Sequence, residues 1–221
     1  METSHETILF VDLKALEHNY NYFKSKLNPE TKIIAVVKAF AYGHGDVVVA
    51  KKLEKLGAYA FWVADFDEGV SLRKSGIKRP IIIANPGAKS VSEIFNYNLQ
   101  PVIYNFRLLK LYGEKMTPVS IHIKFNTGMN RYGFNLEEID FLGEKIKNYP
   151  HLTVESICTH LSSADNSKQD EFTSYQLKQF KSISSIFYRK TGIKAAHHIL
   201  NTSGILRFPK HQKEMVRLGV G

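Results

Sequence analysis

The sequence predicts an α/β fold, a (β/α)8 barrel of the TIM type, on three observations. Eight short apolar runs recur at 33–37, 60–64, 81–84, 101–104, 119–125, 154–159, 196–200 and 215–220. Largely apolar strands read as buried on both faces, the mark of a parallel sheet covered by helices. Segments with helical spacing separate them, and eight such units is the count of a closed barrel. An open doubly wound sheet is the runner-up, but no run is followed by a GxGxxG or GxxxxGKS/T loop, so dinucleotide and P-loop chemistry find no support.

Taken in order, residues 12–27 open as Asp12-Leu13-Lys14-Ala15-Leu16 and form an amphipathic helix ahead of the first strand. Gly57, Gly76 and Gly192 fall where later helices should stop. Ser90 with Glu93 has the spacing of a capping box, and Asn135 with Glu138 is a looser variant. The chain ends inside or just after the eighth strand, before a helix that should cover it. Since barrels typically need about 250 residues, a truncated piece of a longer protein is expected.

A chain of 221 residues, 43% hydrophobic and 23% charged, can bury one large core, which excludes disordered and collagen-like classes. No apolar stretch is long enough to span a bilayer, and the polar start Met1-Glu2-Thr3-Ser4-His5-Glu6 is unlike a signal peptide. A cytoplasmic protein without membrane partners is expected. The net charge of +9 is scattered over helix-like segments such as Lys51-Lys52-Leu53-Glu54-Lys55, so a solvated basic surface is expected rather than nucleic-acid binding. The single cysteine, Cys158, lies in an apolar run and reads as a buried structural thiol. No metal site is expected.

Candidate chemistry gathers at the C-terminal ends of the strands, where barrels place their sites. The first run opens into Lys38-Ala39-Phe40-Ala41-Tyr42-Gly43-His44-Gly45. An amine where a buried strand meets a loop is poorly solvated, which favours the neutral form that attacks an aldehyde. Tyr42 offers a rigid ring and a hydroxyl, and Gly43 and Gly45 supply backbone freedom. In the fifth run Lys124 shares a face with His122 and Asn126, which makes it a second interior amine needing an anionic partner or a modification. The sixth ends at Thr159-His160 and the seventh at Asn201-Thr202-Ser203-Gly204. Loops after strands seven and eight often hold a phosphate, and Thr202-Ser203-Gly204 and Gly219-Val220-Gly221 occupy those places.

An amine on the first strand and a phosphate cradle after the last two describe the two ends of pyridoxal 5'-phosphate. The segment from Ala35 to Gly45 resembles the cofactor-lysine motif of the alanine racemase family. The resemblance continues through Lys124 to Gly133, Thr159-His160-Leu161, His198 to Pro209 and Val216-Arg217-Leu218-Gly219, and so covers essentially the whole chain, residues 1–221, as the N-terminal barrel domain. It implies a pyridoxal-phosphate-dependent isomerase interconverting L- and D-alanine for peptidoglycan precursors, without the C-terminal β-domain.

Carried over by position, Lys38 is the Schiff-base lysine and one base. Tyr42, Thr202, Gly219 and Val220 hold the phosphate. His160 packs beside the pyridine ring and bonds Arg217, with Asn201 in support, and Arg217 donates to the ring nitrogen. Arg131 lies near the phenolic oxygen and the substrate carboxylate, and Lys124 matches a lysine often carbamylated. Phe40, Asn126 and Thr202 stand where Asn, Asp and Ser are common. The resemblance also implies a homodimer whose second base is a tyrosine of the partner's C-terminal domain, so the barrel by itself is expected to racemise poorly. Two other readings stay open at this level: a single-domain pyridoxal-phosphate carrier, and a non-enzymatic barrel fused to a ligase as a scaffold.

Overall fold

The computed structural model describes residues 7–220. Eight parallel strands close in chain order: β1 (Lys32–Val36), β2 (Ala60–Val63), β3 (Ile81–Ile83), β4 (Gln100–Ile103), β5 (Val119–Lys124), β6 (Leu152–Cys158), β7 (Ala196–His198) and β8 (Met215–Leu218). β8 pairs back onto β1, matching Lys32 with Met215 and Ile34 with Arg217. Each strand falls on one of the eight apolar runs. Gly221 of the expected phosphate loop, and residues 1–6, lie outside the described residues.

Around the barrel run α1 (Leu13–Lys24), α2 (Lys38–Tyr42), α3 (Asp46–Lys55), α4 (Phe66–Lys74), α5 (Val91–Asn96), α6 (Phe106–Gly113), α7 (Ile139–Lys147), α8 (Asp170–Thr191) and α9 (Thr202–Arg207). Local chemistry sets most of their ends. Asp12 Oδ1 accepts from Lys14 N at 2.7 Å and Ala15 N at 3.2 Å, satisfying two N–H groups that a helix start leaves unpaired. The Asn135–Glu138 box forms, with Asn135 N donating to Glu138 Oε2 at 2.7 Å. The Ser90–Glu93 box does not. A 3-10 turn runs into α5 there, so the Ser90 hydroxyl donates back to Gly87 O at 2.8 Å, and Glu93 accepts from Ser92 Oγ instead.

Strand alternation divides the interior in two. Outward residues such as Ala35, Phe61, Ile83, Ile103, Ile123 and Ile157 pack against the helices in one continuous apolar layer. Burying each large side chain there is worth about 1.5–3 kcal/mol. Inside the barrel the apolar set is small: Ile34, Ala60, Trp62, Ile82, Val102, Cys158 and Met215. The rest of the lumen is polar, with His122, Lys124, Ser156, His198 and Arg217 all buried. A bulge helps arrange this. Ile121 pairs with Val154 but His122 with Ser156, so the extra residue, Glu155, shifts the alternation and turns Ser156 inward.

Candidate active site

The C-terminal ends of the strands open onto a cavity of about 470 Å³. All ten residues singled out for the site line it: Lys38 and Tyr42 after β1, Lys124 ending β5, Arg131 in the next loop, His160 after β6, Asn201 and Thr202 after β7, and Arg217, Gly219 and Val220 on and after β8. Among the described residues, four cations face this space and no Asp or Glu does.

The segment after β1 holds a feature that its residues do not advertise. Ala39, Phe40, Ala41 and Tyr42 have φ of 51°, 55°, 52° and 57°, a full left-handed turn, before Gly43 and Gly45 at φ 92° and 90°. Each such non-glycine residue costs roughly 1–2 kcal/mol. The sequence places the unusual backbone at the glycines, whereas it begins four residues earlier. Ala41 N donates to Val37 O at 2.9 Å and Gly43 N to Ala39 O at 3.0 Å, closing the turn on itself. The Glu68 carboxylate caps it: Oε1 accepts from Ala39 N and Oε2 from Ala64 N, both at 2.6 Å.

This turn carries Tyr42 across to β8. A Cβ at Gly219 would lie 2.7 Å from the Tyr42 hydroxyl, so only glycine permits the approach. Gly219 N donates to Thr202 Oγ1 at 3.0 Å, which leaves the threonine O–H free to donate into the cavity. Asn201 caps α9 by accepting from Gly204 N at 2.9 Å and donates to Leu161 O at 3.2 Å, tying the β7 loop to the β6 loop. Arg207 fastens α9 further through a bidentate pair with Asp170 at 2.7 and 2.9 Å. Burial raises the Tyr42 pKa, so its hydroxyl stays protonated.

Arg217 is buried and has no carboxylate partner among the described residues. Its Nη1 donates to His198 Nδ1 at 2.5 Å and His198 O at 3.2 Å; its Nη2 donates to Thr159 O at 2.7 Å, Ile199 O at 3.0 Å and His160 Nδ1 at 3.4 Å. These bonds use its terminal N–H groups and leave Nε–H as the remaining donor.

Since a guanidinium only donates, His198 and His160 accept through Nδ1 and carry their proton on Nε2. The order continues inward. His198 Nε2 donates to Ser156 Oγ at 3.1 Å, Ser156 donates to His122 Nδ1 at 2.6 Å, and His122 Nε2 donates to Gln100 Oε1 at 3.0 Å. Burial holds His122 and His160 down to about 3 and His198 well below its usual value, with Arg217 adding to the shift for the last two. His160, grouped with the catalytic candidates from the sequence, sits here as a neutral ring beside Arg217.

Lys124 is buried, and no hydrogen bond or ion pair reaches its ammonium among the described residues. Desolvation lowers its pKa to about 8, opposed by Cys158 and assisted by Arg217, Arg131 and Lys38. The exposed Arg131 and Lys124 both approach the Tyr132 ring, which stacks on Tyr104 at 4.5 Å between centroids. Asn126 organises the loop between them. Its Oδ1 accepts from Gly128 N and Asn130 N, while its Nδ2 donates to Asn130 Oδ1 at 2.9 Å and Asn135 Oδ1 at 3.1 Å, which a carboxylate could not do.

Sequence reasoning missed Glu68, Ser156 and Gln176. Gln176 lies on the buried face of α8, donates to His160 O at 3.0 Å and Thr127 Oγ1 at 3.2 Å, and accepts from Ser162 N at 3.0 Å. The available signal was a pair of polar residues, Thr173 and Gln176, heading a helical stripe that continues as Leu177, Phe180, Ile183 and Phe187.

A family model described as "Alanine racemase, N-terminal domain" matches residues 11–221. The chain belongs to the alanine racemase family. Among its relatives are the alanine racemase of Nostoc sp., 33% identical over 219 residues, and that of Carboxydothermus hydrogenoformans, 35% identical over 217. Each alignment covers 95% of this chain but only 56% and 58% of the relative. The chain thus spans a little over half the length of the racemases it matches. The alanine racemase of Clostridium difficile, solved in complex with cycloserine, superposes with a TM-score of 0.89 at 30% identity, over 94% of this chain and 58% of that one. The Bacillus anthracis alanine racemase with bound L-Ala-P gives 0.86 at 26% identity, over 97% and 58%. Among the described residues, no helix is long and apolar enough to cross a membrane.

Proposed function

We propose that this chain is the pyridoxal-phosphate-binding barrel of an enzyme that interconverts L- and D-alanine. The observation that carries this is the composition of the cavity: Lys38, Lys124, Arg131 and Arg217 face it, with no carboxylate among the described residues to balance them. Such a site suits a ligand set bearing several negative charges, as an organic phosphate and an amino-acid carboxylate do. When bound, the cofactor supplies an aldehyde and an electron-accepting ring that acidifies the α-carbon of an amino acid.

Lys38 would hold the cofactor covalently through Nζ and take or return a proton on one face of the α-carbon. The Thr202 and Tyr42 hydroxyls and the backbone around Gly219 and Val220 would bind the phosphate, with Gly219 admitting Tyr42 to the same side. Arg217 would aim Nε–H at the ring nitrogen. With no acceptor to offer and no proton to lose at working pH, it would keep that nitrogen unprotonated and favour return of the proton to the α-carbon. His160 would pack as a neutral ring beside Arg217, Asn201 would brace the loop, and Arg131 would meet the substrate carboxylate. Carbamylation of Lys124 would replace that buried cation by an anion, which would pair with Arg131.

A proton acceptor is needed on each face. The second would be a tyrosine from a C-terminal β-domain of a partner subunit in a homodimer, beyond the residues of this chain. The supply of D-alanine for peptidoglycan, and a cytoplasmic setting, would follow. Incubation with pyridoxal phosphate and reduction with borohydride tests the reading: one label per chain, on Lys38 and lost in Lys38→Arg, is expected. Label scattered over surface lysines would overturn it.

A further inference from the structure

We infer that Glu68 is a positioning residue for Lys38, acting as the cap of the left-handed turn that follows it. This rests on the reading of Lys38 as the amine that captures the cofactor aldehyde. A left-handed turn, like any helical turn, leaves its first N–H groups without partners inside the turn. The first internal bond here is Ala41 N to Val37 O, so Ala39 N–H is unpaired within the turn. Glu68 Oε1 accepts from it at 2.6 Å.

The amide so held belongs to the peptide bond joining Lys38 to Ala39, so the cap fixes ψ of Lys38 and, with β1 holding the chain on the other side, pins the Cα that carries the amine at the rim. The carboxylate is itself fixed. Its Oε2 accepts from Ala64 N at 2.6 Å at the end of β2, and Asp65 caps the first turn of α4, which carries Glu68. One side chain therefore ties the ends of β1 and β2 together across the turn. It also supports a run of four non-glycine residues that favour other backbone conformations.

The same turn delivers the Tyr42 hydroxyl to Gly219 at the other end of the site. Loss of the cap should therefore disturb amine and phosphate ends together, the amine more because it adjoins Ala39.

The test compares the chain with its Glu68→Gln and Glu68→Ala variants by two readouts. The first is hydrogen exchange without ligand. The amides of Ala39 and Ala64 should exchange at least tenfold faster in Glu68→Ala, with those of Ile121 and Ile123 in β5 unchanged. Glu68→Gln keeps one acceptor oxygen, so only one of the two amides should be released. The second is covalent capture. The Lys38 amine adds to the pyridoxal phosphate aldehyde with loss of water, and borohydride delivers hydride to the resulting C=N bond. Trapping on Lys38 should slow about tenfold in Glu68→Ala and less in Glu68→Gln.

Unchanged exchange at Ala39, or faster exchange with trapping on Lys38 still at the parent rate, would overturn the inference. If the parent chain does not trap the cofactor on Lys38, the functional reading fails and the positioning role falls with it; the exchange data would then report the cap alone.

Discussion

The two faces of the same eight strands follow opposite rules. Outward, Ile83, Ile103, Ile123 and their neighbours form one continuous apolar layer against the helices. Inward, seven apolar residues share the lumen with two buried cations, Lys124 and Arg217, and with His122, Ser156 and His198, which hydrogen bonds link in a row from Gln100 to Arg217. The outer layer supplies stability by area. The inner one spends part of that stability to hold Arg217 and Lys124 at the mouth, and its cost is set by protons and partners rather than by volume.

Acid should break the inner face first and with the largest effect. His122 and His198 are held neutral in the folded chain, with His122 at about 3, whereas in the unfolded chain both protonate near 6.5. Below pH 6.5 the unfolded state binds more protons, so stability is lost as pH falls, by about 3 kcal/mol per pH unit around pH 5 from these two rings, and His160, also held at about 3, adds to the loss. Thermal melts from pH 7 to 4 should show a steep fall in Tm; a flat profile would mean these rings are not sealed. On the outer face, Ile123→Ala should cost about 2–5 kcal/mol through the cavity it leaves, with little dependence on pH, as denaturant titration would show.

Lys124→Met separates the faces by sign. In bicarbonate-free buffer at pH 7 the ammonium is buried without a partner, so its removal should stabilise the ligand-free chain, by about 3 kcal/mol. The folded pKa of about 8 lies below the unfolded 10.5, so the penalty is complete below 8 and fades as pH rises towards 10.5. The advantage of the methionine variant should fade with it, and a constant advantage would point to packing instead. Ser156→Ala, which removes the link between the two histidines, should cost about 1–3 kcal/mol, again by denaturant titration. The smallest change is a gain. Phe40 is exposed at φ 55°, where Asn is better tolerated, so Phe40→Asn should raise stability by about 1 kcal/mol; a lower Tm would mean that the ring makes a contact worth more than the backbone strain.

The outer face was legible because hydrophobic periodicity encodes it directly, and the strand positions followed. The mouth was legible as a set of residue types at strand ends. The inner face was only half visible. His122 and Lys124 stood out as polar residues in an apolar strand, but Ser156 reads as outward until the bulge at Glu155 shifts its register. Asn126 reads as a lost charge beside Arg131, and is instead a hub of four hydrogen bonds in its loop.

By itself, the sequence determined that this protein closes eight apolar strands into a barrel and places an amine, two loops of hydroxyl and glycine residues and a guanidinium at one rim, because those features depend on residue type and local spacing. Only the tertiary structure decided that Ala39-Phe40-Ala41-Tyr42 turn left-handed under the Glu68 carboxylate, and that Arg217 is held by carbonyls and two neutral imidazoles. Both arrangements are locally unfavourable, a strained backbone in one case and a desolvated charge in the other. They persist because partners from distant parts of the chain meet them there.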